Sequence, residues 1–249
     1  MNSPSVSRSA ASSSAGVLKW SILVTTMNEE AAIEECLRRI VAVLPADGEV
    51  LVIDGGSDRT GEIVRQLEAE LPAVRYIRNE HDRGKGHAVQ VGMRAASGDA
   101  FLQIDADLQF LPEEMHLLMA PIEAGQADLV LGSRFADGST RRPGSTTPLR
   151  TFGNWFTSHY TSLLFGQRMT DVLAGMKAWR REVSERIPLR CENVSYDAEL
   201  PARAAMAGFR ILDVPITTDR RHGGVSAVHV VRDGLRIVRD LTLFRIGLK

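Results

Sequence analysis

The sequence predicts an α/β domain built on a mainly parallel sheet flanked by helices. From Lys19 onward, short β-rich runs alternate with helix-period patterns. The strand–helix–strand order repeats four times, which calls for right-handed crossovers between parallel strands. The chain has 249 residues, 44% hydrophobic and 24% charged, which suits one large core and excludes a wholly disordered chain.

Trp20 to Thr25 reads as a buried strand, and Glu29 to Val43 as a helix with Ile33, Leu37, Ile40 and Val41 at helical spacing. Glu49 to Ile53 is the second strand, Asp58 to Leu71 the second helix and Val74 to Ile77 the third strand. Gly84 to Ala96 is the third helix, although Val89, Val91 and Met93 fit its period less cleanly. Ala100 to Ile104 is the fourth strand. Pro112 opens a helix over Glu113 to Glu123, and Pro121 kinks or ends its last turn. Asp128 to Leu131 is the fifth strand. Phe135 to Pro148 is dense in Gly, Pro, Ser, Thr and Arg, and is expected to be a long mobile loop. Leu149 to Phe165 follows as a helix carrying Phe152, Trp155, Phe156, Tyr160 and Phe165. Tyr196 to Ala207 is a helix, Phe209 to Val214 a strand, and Val228 to Ile246 an amphipathic helix with Arg232, Arg236, Arg239 and Arg245. That last helix either lies on an anionic bilayer or packs on the domain with its arginines outward.

Residues 1–17 are rich in Ser and Ala, lack the apolar stretch of a secretory signal, and read as a disordered tail before a single domain over 18–249. A formal net charge of -1 excludes a nucleic-acid binder working by bulk positive charge. Any phosphate contacts must therefore come from local clusters, and the 30 basic residues are 26 Arg, which grip phosphate through a rigid fork, and 4 Lys. Cys36 and Cys191 have no metal-ligand spacing and fit a reducing cytoplasm. No apolar run reaches the roughly 18 to 20 residues of a membrane span.

The strongest chemical signal is Asp105-Ala-Asp107-Leu-Gln109, directly after the fourth strand. In extended chain, residues i and i+2 share a side, so these oxygens converge beyond the strand's carboxyl end, where open α/β sheets bind ligands. Adjacent carboxylates repel unless a cation lies between them, and an all-oxygen set favours Mg²⁺ or Mn²⁺. The plainer reading is a solvated Asp-rich turn. Asp54-Gly-Gly-Ser57-Asp58 follows the second strand, where Asp54 can accept bonds from a base or ribose and Ser57 or Asp58 caps the next helix. Arg83-Gly-Lys85-Gly86-His87 precedes a helix and suits a phosphate edge or an ordinary turn. Arg134 ends the fifth strand, Arg150 precedes the aromatic helix, and Arg220 and Arg221 lie in a late loop.

In this order the motifs resemble family 2 glycosyltransferases of the GT-A, Rossmann-like fold, in particular the dolichol- or polyprenyl-phosphate hexose synthases. The matching segments are Met27 to Glu30, Ile53 to Ser57, Gly84 to Gly86 with Ala95 to Asp99, Asp105 to Gln109, and Gly132 to Arg134. Later matches are Asp171, Gly175, Glu199, Gly208 to Ile211, Val214 to Ile216, Arg221, Gly224 and Ser226. The resemblance implies a hexosyltransferase with a nucleotide-sugar half over about 18–134 and an acceptor half over about 135–249. It implies a UDP- or GDP-sugar donor at Thr25, Asn28, Glu29, Asp54, Lys85 and Asp105, and a metal and diphosphate site at Asp105, Asp107 and Gln109. Arg134 and Arg150 then meet an acceptor phosphate, and Arg221 the donor diphosphate. The chain departs from the family pattern at Thr25 (usually Pro), Met27 (usually aromatic), Gly55 (usually Asp) and Ala227 (usually Lys).

The resemblance implies a single inverting displacement, in which a metal held at Asp107 stabilises the leaving nucleotide and Arg221 adds to that stabilisation. A lipid-phosphate acceptor is already an anionic nucleophile. A hydroxyl acceptor on a small molecule, the alternative, needs a base, for which Glu199, Asp197 and Asp171 are the candidates. A non-catalytic scaffold on the same fold is the third reading. The expected location is cytoplasmic, with peripheral contact at the inner face of a membrane if the acceptor is a lipid.

Overall fold

A computed structural model of the chain describes residues 18–223 and 229–248. The 1–17 tail, and Gly224, Ser226, Ala227 and Val228 of the late segment, lie outside the described residues. The elements in chain order are β1 (Trp20–Thr26), α1 (Ile33–Val43), β2 (Glu49–Asp54), α2 (Thr60–Glu70), β3 (Val74–Arg78), α3 (Lys85–Ala95), β4 (Ala100–Asp105), α4 (Met115–Glu123), β5 (Leu129–Ser133) and β6 (Thr140–Arg141). They continue with α5 (Pro148–Phe165), β7 (Lys177–Arg180), α6 (Arg181–Arg186), α7 (Tyr196–Met206), β8 (Ile211–Pro215), β9 (Thr217–Thr218) and α8 (Val230–Arg245).

The main sheet has the order β3-β2-β1-β4-β7-β5-β8. Successive strand residues point to opposite faces. Ile22, Val24, Val50, Val52 and Leu102 join one core with α1, α2 and α4. Leu23, Leu51, Ile53, Phe101 and Leu129 join the other with α3, α7 and α8. Covering both faces explains why β1 and β2 are near-continuous apolar runs.

Three local expectations change. The first helix starts at Ile33 rather than Glu29. Asn28 adopts a left-handed φ of 60°, and the Glu29 carbonyl accepts from Ala32 and Ile33 as a turn. The parallel sheet is interrupted by β7, which runs antiparallel to both β4 and β5. The stretch expected as one long mobile loop is anchored midway, because β6 pairs with β9 and Arg142 N–H donates to the Thr218 carbonyl at 2.9 Å.

Register positions the site. Thr25 pairs with Asp105 across β1 and β4, and Thr26 with Asp54 across β1 and β2. The carboxyl ends of three central strands therefore finish level, and β7 brings Lys177 to the same region opposite Gln103. Among the described residues, no helix is long and apolar enough to cross a membrane.

Candidate active site

β4 ends at Asp105 and the chain turns at once. Leu108 has a φ of 59°, and Asp107 Oδ1 accepts the Gln109 N–H at 3.1 Å. The two carboxylates thus reach the cavity around a turn, not as alternate residues of an extended strand. Gly175 leaves room for Asp105, because a Cβ there would collide with its carboxylate.

Lys85 opens α3 and reaches Asp105 Oδ1 at 2.8 Å and Asp197 Oδ2 at 3.2 Å. Gly84 permits the entry with φ 118°, and Gly86 lies so close to the Cys191 carbonyl that no Cβ fits. Beneath, fully buried Lys177 meets Asp197 Oδ1 at 2.7 Å and donates to the Ala174 carbonyl. On the other side, Arg221 Nη1 is 2.6 Å from Asp107 Oδ2, and its Nη2 pairs with Glu29. The Arg221 segment is held down by His222 N–H to the Asp107 carbonyl and Asp219 N–H to the Gln109 carbonyl, both at 2.9 Å.

The electrostatics follow from burial. Burial opposes the charge on Lys85, but Asp105 and Asp197 outweigh it and hold its pKa above the ordinary lysine value. Burial also opposes the charge on Asp197, yet Lys177 and Lys85 hold its carboxyl below the usual range. Lys177 is pushed down by burial, which Asp197 offsets only in part. Asp107 is pushed up by burial and by Asp105, against Arg221. Burial raises Glu29 to about 7, again against Arg221. Four carboxylates (Glu29, Asp105, Asp107, Asp197) thus face three cations, and the shortfall of positive charge falls at Asp107 and Glu29.

That shortfall, with an all-oxygen donor set, fits a hard divalent cation at Asp105 and Asp107. Among the described residues no group of three or more His, Cys, Asp or Glu encloses a metal, so a cation here needs further oxygens from substrate phosphates. Gln109 also lines the cavity, and its Nε2 donates to the Ser145 carbonyl at 2.9 Å.

One cavity of about 660 Å³ brings together Thr25, Glu29, Lys85, Asp105, Asp107, Gln109, Arg134, Arg150 and Arg221. Its far wall is apolar, made by α5 and α8 with Leu149, Phe152, Phe156, Val231 and Leu235. Arg134 is clamped by Asp171 through bonds of 2.6 and 2.8 Å. Asn28, Asp54 and Glu199 do not line the cavity. Asn28 Oδ1 accepts from Ser57 N–H at 2.8 Å and shapes the β2–α2 turn. Asp54 is buried and accepts from Thr26, Gly56, Tyr76 and Arg78. Asp58 caps the start of α2 through Thr60 N–H. Glu199 is fully buried, accepts the Arg190 and Cys191 N–H groups and pairs with Arg203, so its carboxylate holds loop backbone. Lys177 was not singled out by the sequence. Its one signal is being among four lysines in an arginine-rich chain.

Parallel strands ending level at paired carboxylates, with a cavity rising from them, define a GT-A glycosyltransferase. Residues 21–187 match the Glycosyl transferase family 2 profile, and the chain belongs to that family. It is 34% identical over 206 residues to the dolichyl-phosphate hexose transferase of Haloferax volcanii, covering 81% of this chain and 83% of that protein. It is 30% identical over 243 residues to the undecaprenyl-phosphate mannosyltransferase of Micrococcus luteus, covering 91% of this chain and 98% of that one. The chain spans only 38% and 52% of two further Haloferax volcanii relatives. The glucosyl-3-phosphoglycerate synthase of Mycobacterium tuberculosis, solved with Mn²⁺ and uridine-diphosphate-glucose, shares the fold with a TM-score of 0.70 at 22% identity, over 94% of this chain and 80% of that chain.

Proposed function

We propose that this glycosyltransferase moves a hexose from a UDP- or GDP-sugar to a polyprenyl- or dolichyl-phosphate acceptor by a single inverting displacement. The observation that carries the reading is the cavity itself, which joins an acidic, cation-seeking end at Asp105 and Asp107 to an apolar wall on α5 and α8, with Arg134 and Arg150 also lining it. The names of the Haloferax and Micrococcus relatives support the same acceptor class.

Asp105 and Asp107, with Gln109, hold a divalent cation, Mg²⁺ or Mn²⁺. When bound, it supplies Lewis-acid stabilisation of the leaving nucleoside diphosphate. Thr25 and Glu29 contact the nucleotide side, while Asp54 and Asn28 shape the turn that borders it. Lys85 holds Asp105 in place through their ion pair. Arg221, which pairs with Asp107 and Glu29, exchanges these carboxylates for the donor diphosphate and adds positive charge to the leaving group. Arg134, oriented by Asp171, and Arg150 position the acceptor phosphate.

The phosphate acceptor is favoured over a hydroxyl by the state of the candidate bases. Asp171 is tied to Arg134, Asp197 lies between two lysines, and Glu199 holds loop backbone. A phosphate oxygen needs no such base. The test is product analysis with UDP- and GDP-hexoses, a divalent cation and a short polyprenyl phosphate. A prenyl-phospho-hexose is expected. Donor hydrolysis with transfer only to hydroxyl compounds would remove the lipid-phosphate acceptor from the account.

A further inference from the structure

Helix α5 packs Tyr160, Leu164 and Phe165 partly against the core but turns the rest of its large side chains outward. Its buried face is small and polar: Thr157 is 3% exposed, and Ser158 and Thr161 are fully buried. These groups are satisfied locally, for Ser158 Oγ donates to the Asn154 carbonyl and accepts the Val172 N–H, while Thr161 donates to the Thr157 carbonyl. The helix cannot roll its large side chains inward without breaking that set. Its outer stripe is Leu149, Phe152, Trp155, Phe156 and Leu163, with Phe152 at 61% and Leu163 at 82% exposure. Phe152 also contacts the Trp155 and Phe156 rings at centroid distances of 6.1 and 6.3 Å.

Helix α8 lies alongside, joined by a 2.7 Å bond between the Tyr160 and Thr242 hydroxyls and by Arg245 to the Leu164 carbonyl. It adds exposed Val231 and Leu235. The exposed charges on these two helices have one sign. α5 contains no carboxylate, and Asp233 and Asp240 of α8 are both buried. Arg232 and Arg239 pair with Asp233 and Asp240 but keep side chains 64% and 66% exposed, Arg245 is exposed too, and the four arginines of α8 outnumber its two aspartates. A contiguous apolar surface of this kind marks an interaction site, and an apolar stripe on helices of net positive charge whose exposed charged groups are arginines matches the interface of an anionic bilayer.

We infer that the α5–α8 face docks on an anionic lipid bilayer, aromatic stripe inward and arginines at the headgroups. The mouth of the cavity then opens at the membrane, because Phe152, Phe156, Val231 and Leu235 belong to both surfaces. The purpose of this docking rests on the proposed lipid-phosphate acceptor, but its geometry does not.

Trp155 is a built-in reporter, since the other two tryptophans, Trp20 and Trp179, are fully buried. The full chain is mixed with vesicles of phosphatidylglycerol and phosphatidylcholine, or of phosphatidylcholine alone, across a salt series. Co-sedimentation with the anionic vesicles, a blue shift of Trp155 emission and weakening with added salt are expected. The double variant Trp155→Ser/Leu163→Ser alters the stripe and changes no residue that itself lines the cavity. It should bind these vesicles at least about tenfold more weakly and keep wild-type transfer to a water-soluble, short-chain prenyl phosphate. Equal vesicle binding by variant and wild type overturns the inference, as does a concentration-dependent dimer that the same substitutions dissolve. Transfer to the soluble acceptor with no vesicle binding sinks the docking face and leaves the proposed activity standing. Vesicle binding without transfer to any prenyl phosphate does the reverse.

Discussion

Replacing Asp197 with Asn tests the ion network that supports the site. Asp197 bridges Lys85 and Lys177 at 3.2 and 2.7 Å. Lys85 keeps Asp105 after the substitution, so the loss falls on Lys177, which is fully buried. Removing one partner of a buried ion pair costs about 3–5 kcal/mol, because the other charge stays behind without compensation. In a chain of this length about 1 kcal/mol moves Tm by roughly 2–4 °C, so a fall of roughly 10 °C is expected. The pH dependence has a definite sign. Burial already depresses Lys177 below its ordinary 10.5, and losing Asp197 depresses it further. The unfolded chain then binds the extra proton, so the variant gains stability as pH rises toward 10.5, more steeply than wild type. Urea and thermal unfolding followed by circular dichroism, from neutral pH to about pH 9, measure both effects. Adding Lys177→Met should restore most of the loss. An Asp197→Asn protein within about 1 kcal/mol of wild type, with an unchanged pH slope, would refute the reasoning.

Three further outcomes are expected. Glu199→Gln should destabilise the fold by about 3 kcal/mol, since it removes the buried Glu199–Arg203 ion pair and weakens two backbone bonds. The folded enzyme should keep its turnover, and a selective loss of kcat in stable protein would make Glu199 catalytic after all. Gly175→Ala should cut activity far more than it lowers the urea midpoint, because its Cβ displaces the Asp105 carboxylate. Equal loss in both would show a packing role only. Asp171→Asn should raise KM for the acceptor more than it lowers kcat, through loss of the clamp on Arg134. An unchanged acceptor KM would separate Arg134 from acceptor binding.

Much of the frame was legible because it is written locally. Apolar runs such as Trp20 to Thr25 and Ala100 to Ile104 are buried on both faces and read as strands without tertiary knowledge. Asp105 could be placed at a ligand-binding edge because the strand before it is unambiguous. β7 was not legible: four residues beginning and ending in a basic side chain carry no period, and only pairing with β4 and β5 makes them a strand. For the same reason Lys177, which starts β7, gave no hint of its burial. The polar contacts were the least legible. Asp54 looks open in sequence, but Tyr76 and Arg78 reach it across the sheet edge. The bond from Arg221 to Asp107 joins residues 114 positions apart, and nothing local in the sequence announces it; the family resemblance set Arg221 only at the donor diphosphate. The aromatic stripe of α5 was visible, but whether it faced core or solvent depended on which side its threonines and serines would bury.

The most direct test compares wild type with Asp107→Asn in transfer from the active UDP- or GDP-hexose to a short polyprenyl phosphate, with Mn²⁺ or Mg²⁺ supplied and then removed by chelator. Asp107 sits where the site lacks positive charge and where Arg221 must yield to the donor diphosphate. The account expects transfer to stop on chelation, and the variant to lose at least about a hundredfold in kcat while its urea midpoint stays near wild type. Turnover within about threefold of wild type, or transfer indifferent to chelation, would contradict it.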